Sequence, residues 1–188
     1  MSIHLYQHDL PDNISFGTSV AIDTETMGLS LTRDRLCLVQ LSCGDGIAHL
    51  VQIAADKQPC PNLISLLADK KCEKLFHFGR FDLAMLTRDI GQISGPVYCT
   101  KIASKLSRTY TDRHGLADLC RELLSLEISK QQQSSDWGAD RLSDAQQTYA
   151  AGDVLYLHQI KEKLDAMLTR LDRHALAKCC FDFLPHRV

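Results

Sequence analysis

Short apolar runs separated by glycine- and proline-marked breaks fill the first half of the chain, and longer stretches with helical spacing fill the second. Ser19 to Thr24 is apolar and β-branched until it meets two acids, which predicts a strand. Leu36 to Ser42 and Ile47 to Ile53 predict two more, joined by the turn Cys43-Gly44-Asp45-Gly46. Together they make an antiparallel meander of three strands. Pro61 opens a helix through Leu67, since proline fits the first helical turn. Lys74 to Phe78 reads as a short strand, and Asp82 to Leu86 begins the next helix. Val97 to Cys99 is a brief strand, Thr100 to Leu106 a helix, and Leu116 to Leu124 another. Ser143 is the expected N-cap of a long helical stretch reaching Leu168, broken once. Strands first, then alternating strand and helix, give an α/β fold: a mixed five-stranded sheet flanked by helices.

Length and composition narrow the class. The 188 residues fit one domain spanning 1–188, with no repeat or linker to divide it. No run of about 18 uncharged apolar residues is present, so no membrane span is expected. The opening Met-Ser-Ile-His-Leu-Tyr lacks a basic segment and an apolar signal core, so a cytoplasmic protein is expected. The eight cysteines form no Cys-x-x-Cys pair and read as reduced thiols, most of them in the core. Core packing is also the reading preferred over zinc for His174, Cys179 and Cys180. The net charge of −2 argues against a broad electrostatic grip on long nucleic acid, which needs many Lys and Arg contacts.

The candidate chemistry lies in three places. Asp23 and Glu25 flank Thr24 at a strand end, and strand alternation points both acids to one side. Asp82 falls in the first turn of a helix, where the dipole favours an acid whatever its role. Tyr149 and Asp153 lie one helical turn apart, and Ala150, Ala151 and Gly152 between them leave room for close approach. Each pair has an ordinary explanation as solvated acids or a tyrosine–carboxylate hydrogen bond. A fold that gathers all four acids does so around cations.

In this order the segments resemble the DEDD superfamily of 3′–5′ exonucleases, in the tyrosine-containing subclass and the RNase D family. The matching motifs are Asp23-Thr24-Glu25, His77-Phe78-Gly79-Arg80-Phe81-Asp82 and Tyr149-Ala150-Ala151-Gly152-Asp153, with Lys130 to Trp137 similar to the family's Lys-to-Ser-Asp-Trp segment. Asp-Thr-Glu-Thr-Met-Gly-Leu and Arg-Thr-Tyr-Thr-Asp-Arg-His-Gly-Leu look like the short nano-RNase C group of alphaproteobacteria. Cys99 departs from the aspartate that many RNase D-like chains carry before Thr100.

The resemblance implies an RNase H-like exonuclease fold without the accessory RNA-binding helical domain. It implies that Asp23, Glu25, Asp82 and Asp153 hold two divalent cations, Mg²⁺ or Mn²⁺, and that Tyr149 orients the attacking water. It implies hydrolysis of short RNA, dinucleotides especially, to nucleoside 5′-monophosphates. Thr24, Leu29, His77 and Phe81 are the substrate contacts it suggests beside the acids. Lys105, Arg108, Tyr110, Arg113 and His114 are candidates to cap a 5′-phosphate or stack on a base. A homo-oligomer, an octameric ring, is also implied. Two other readings stand beside this one. The first is an RNase D-type exonuclease acting on longer RNA or on DNA, and the second is an inactive nucleic-acid-binding module on the same fold.

Overall fold

The computed structural model describes residues 1–56, 58–129 and 131–188. Six strands form one sheet: β1 (Ser2–Gln7), β2 (Ser19–Thr26), β3 (Leu36–Ser42), β4 (Ile47–Gln52), β5 (Glu73–Phe76) and β6 (Val97–Cys99), in the order β1-β4-β3-β2-β5-β6. The meander is antiparallel from β2 through β4, while β1 joins β4 and β5 joins β2 in parallel, as does β6 with β5. The sheet is therefore mixed, as the pattern predicts, but it has six strands rather than five.

The extra strand is β1. Its Ser-Ile-His-Leu-Tyr-Gln alternates, yet it lies at a sheet edge where no residue is fully buried. Ile3 and Leu5 pack against the apolar cluster that includes Leu38 and Leu50, while His4 and Tyr6 stack on His49 of β4. Single aliphatic residues set between polar ones over six positions escape a reading based on hydrophobic runs.

The central strand explains the core. β3 is buried at all seven positions because strands flank it and both faces are covered. Seven helices follow the strands or connect them: α1 (Pro61–Ala68), α2 (Arg80–Asp89), α3 (Thr100–Ser107), α4 (Leu116–Leu124), α5 (Asp144–Leu155), α6 (Leu157–Arg170) and α7 (His174–Phe183). The long helical stretch breaks once, at Tyr156, and α7 with a final single turn, Leu184–Arg187, was not foreseen. Ser143 caps α5 through a reciprocal pair: it accepts from the Gln146 backbone N–H at 3.2 Å, and its own N–H donates to Gln146 Oε1 at 2.9 Å. This pins the start of the helix that lies across β1 to β4. Ala150 and Ala151, both fully buried, let that helix approach the sheet closely.

Five cysteines (Cys37, Cys60, Cys72, Cys99 and Cys120) are buried, Cys43 and Cys180 are half-buried, and all eight are free thiols. Cys179 is exposed on α7, so core packing does not account for it. Among the described residues no helix is long and apolar enough to cross a membrane.

Candidate active site

Three elements deliver the acids. β2 carries Asp23 and Glu25 to one face of the sheet, and a register shift at Glu25/Thr26 ends its regular pairing with β3 just beyond them. The chain turns from β5 into α2 within three residues. Phe78 takes a left-handed conformation (φ 64°), and Gly79 packs so closely on Phe76 that a Cβ there would lie 2.5 Å from the phenylalanine Cβ. That turn sets Asp82 in the first turn of α2, where Thr24 donates a 2.6 Å hydrogen bond to its Oδ1. From the other side α5 presents Tyr149 and Asp153. Carboxylate oxygens of Asp23, Glu25 and Asp153 all lie within 4.8 Å of one another. Gly152 faces open space, so its small size does not serve close packing.

Gathering four acids away from water disfavours their charged forms. Burial pushes the Asp23 carboxyl well above the usual range, and the charges of Asp82, Asp153 and Glu25 add to it. Burial, then Asp153 and Asp82, raises Glu25 to about 9. Asp82 rises to about 6 by burial, held back by the Thr24 hydrogen bond. Asp153 rises to about 7 by burial, restrained by a hydrogen bond from Tyr149 and lifted further by Asp82. Tyr149 is itself raised, by burial first and then by the neighbouring carboxylates, so its hydroxyl keeps its proton. Trp137 braces the tyrosine ring at 6.0 Å between centroids, tilted by 39°.

Among the described residues no Lys or Arg forms an ion pair with any of the four acids. An all-oxygen donor set with uncompensated negative charge fits hard divalent cations, so the residues present suit the metals implied by the motifs.

The acids floor a cleft of about 560 Å³. Leu29, 86% exposed, stands at its edge, and His77, Phe78 and Phe81 form another wall. Thr100 donates its hydroxyl proton to Phe76 O at 3.2 Å, so the 2.9 Å contact between His77 Nδ1 and Thr100 Oγ1 has the imidazole as donor. His77 Nε2 is then left as an acceptor. Burial, then the nearby Lys101, lowers His77 to about 3, which keeps the ring neutral. A second cleft of about 450 Å³ adjoins the first and shares Ile128, Ser129, Tyr149 and Asp153 with it.

The expected cation cluster is not gathered at this cleft. Lys105, Arg108, Tyr110, Arg113 and His114 are absent from its lining. Arg108 is wholly buried: it donates to Ser104 Oγ at 3.0 Å and Arg113 O at 2.8 Å and pairs with Glu122. A side chain with no exposed surface, outside the lining of the cleft, cannot reach a phosphate there, which corrects its assignment as a substrate contact. His114 is also turned inward, its Nδ1 2.8 Å from Ser104 Oγ. Lys105, Tyr110 and Arg113 are exposed elsewhere on the surface. Lys130, the start of the Lys-to-Trp segment, lies outside the described residues.

Sequence reasoning missed several lining residues. Phe78 is 60% exposed with the Lys101 ammonium 3.8 Å from its ring centroid. An exposed aromatic inside a recognised motif was an available signal. Gly115, Leu116 and Ala117 at the start of α4, with Ser129 and Gln133, carry no such mark.

Comparison with known proteins agrees with this geometry. Residues 8–169 match the family described as 3′–5′ exonuclease. A Ribonuclease D from Jannaschia sp. is 32% identical over 157 residues, 82% of this chain and 40% of its own length. The chain thus spans about two fifths of the length of the curated relatives it matches first. Brucella melitensis NrnC with bound Mg²⁺ superposes with a TM-score of 0.94 at 54% identity, covering 100% of this chain and 92% of that one. The same protein bound to pGG gives 0.95 at 55% identity, covering 100% and 91%. The chain belongs to the DEDD 3′–5′ exonucleases of the RNase D type.

Proposed function

We propose that this chain is a divalent-metal-dependent 3′–5′ exoribonuclease that hydrolyses short oligoribonucleotides, dinucleotides above all, to nucleoside 5′-monophosphates. One observation carries the reading: three carboxylates within 4.8 Å of one another sit beside a protonated tyrosine on the floor of an open cleft. A binding module has no need of such a costly cluster.

Asp23, Glu25, Asp82 and Asp153 would hold two divalent cations, Mg²⁺ or Mn²⁺. When bound there, these supply Lewis-acid charge at the scissile phosphate and lower the pKa of a water. Tyr149, kept neutral and braced by Trp137, orients the attacking water in line with the bond to be broken. The 3′-oxygen of the preceding nucleotide is the leaving group, and the released terminal nucleotide carries the phosphate on its 5′-oxygen. His77 Nε2, an acceptor facing the same cleft, suits a sugar hydroxyl. Leu29 is placed to insert between two bases, and Thr24 and Phe81 complete the floor and wall.

Short substrates are favoured by a cleft of about 560 Å³ and by a net charge of −2, which offers little for a long polyanion. NrnC, 55% identical, binds pGG. Exposed Leu176 and Phe183 on α7 agree with assembly into a homo-oligomer, and light scattering after size-exclusion chromatography would report a monomer if that is wrong.

Initial rates on 5′-labelled RNAs of two to ten nucleotides and their DNA counterparts, with Mg²⁺, test the substrate assignment. A steep preference for the dinucleotide is expected. The adjoining cleft supports a second reading, in which longer chains continue past Tyr149, and rates that climb with length would establish it in place of the first.

A further inference from the structure

β3 is buried throughout, yet one of its residues is a full-length amide. Gln40 is 0% exposed and sits directly opposite Asp23 on one side and Leu50 on the other. Its neighbours on the same face, Leu38 two positions along β3 and Leu50 opposite on β4, belong to an apolar cluster with Trp137 and Ala150. A leucine would fill the same place with no hydrogen bonds to satisfy. The glutamine donates from Nε2 to Asp23 Oδ2 at 3.3 Å, while its Oε1 has no partner among the described residues. A buried amide left half satisfied lowers stability, so core packing does not explain it.

Its position does. Register and alternation place Gln40 on the face of the sheet that carries Asp23 and Glu25. A lysine or arginine here would bond Asp23 more strongly but would bring a fixed positive charge to a cluster suited to cations. An amide orients the carboxylate and leaves its charge untouched.

We propose that Gln40 is a positioning residue whose side-chain amide holds the Asp23 carboxylate in the orientation that lets Asp23, Glu25 and Asp153 share a divalent cation. This rests on the metal-dependent reading of the site. Outer partners of metal ligands change affinity by about 10–100-fold when they are removed.

The test uses Gln40→Met, close in volume but without the donor, with Gln40→Leu as a second variant should the first fail to fold. Mg²⁺ affinity is read by calorimetry on the whole protein without substrate, and melting is followed in EDTA. The expected result is an affinity weaker by about 10-fold or more, with a metal-free melting temperature equal to or above wild type. Turnover of pGG should fall at limiting Mg²⁺ and recover as Mg²⁺ is raised. Unchanged Mg²⁺ affinity would overturn the proposal, because a residue that only fills the core leaves it alone. A wild-type protein that leaves pGG intact would refute the exonuclease reading instead, and the calorimetric comparison would still decide the role of Gln40.

Discussion

Replacing Asp153 with asparagine should stabilise the metal-free protein while abolishing its activity. Burial and Asp82 lift the carboxyl from an ordinary 3.8 to about 7. Keeping it ionised in the fold above neutral pH therefore costs roughly 4 kcal/mol, at about 1.36 kcal/mol for each pH unit of displacement. Asparagine removes that cost, and the loss of the Tyr149 hydrogen bond is already contained in it, because that bond is part of what sets the value near 7. The gain is thus up to roughly 4 kcal/mol, or about 8–16 °C in melting temperature for a chain of this size. The pH dependence follows from the raised pKa. The folded state holds a proton that the unfolded state gives up, so the carboxyl's contribution is fully present below about pH 4 and is lost as pH rises through 7. Melts in EDTA at pH 4 and pH 8 should show little difference between variant and wild type at pH 4 and a clear gain for the variant at pH 8. Adding Mg²⁺ should reverse the order, because wild type alone gains the full binding energy. An Asp153→Asn protein that melts below wild type in EDTA at pH 8 would show that the acids are not held under mutual strain.

Three further outcomes are expected. Tyr149→Phe should lower kcat by about 10²–10⁴-fold at saturating Mg²⁺, the range for a positioned acid–base group, and a near-normal kcat there would remove its role at the attacking water. Arg108→Leu should cost about 2–4 kcal/mol in urea unfolding, because it strands Glu122 and the Ser104–Arg113 contacts, whereas Lys105→Ala, on the exposed side of the same helix, should cost under 0.5 kcal/mol. Leu29→Ala should leave the melting temperature unchanged and raise KM for a dinucleotide, and an unchanged KM would remove the wedge role.

The acids were legible because two motifs stand where the chain changes direction, a strand end and a helix start, and the third keeps its pair one turn apart on a helix facing the sheet. Such places are marked in sequence by apolar runs that stop, and the spacings within each motif survive folding. The direction of a long side chain is not marked in the same way. Arg108 reads as one of several surface cations until Glu122, fourteen residues on, draws it inward. β1 stayed hidden because its partner β4 lies some forty residues away and its aliphatic residues, Ile3 and Leu5, stand singly between polar ones rather than in a hydrophobic run. Gln40 was visible as a polar letter inside Leu-Cys-Leu-Val-Gln-Leu-Ser, but only the antiparallel register shows that it meets Asp23.

The site joins β2, near the start of the chain, to α5, about 130 residues later. During synthesis at about 5–20 residues per second, Asp23 waits roughly 6–26 s before Asp153 has even been added. The complete cluster cannot exist on the nascent chain in that interval. On the proposed reading, an enzyme directed at RNA is thus made on an RNA machine in a form that cannot act until Asp153 has been added.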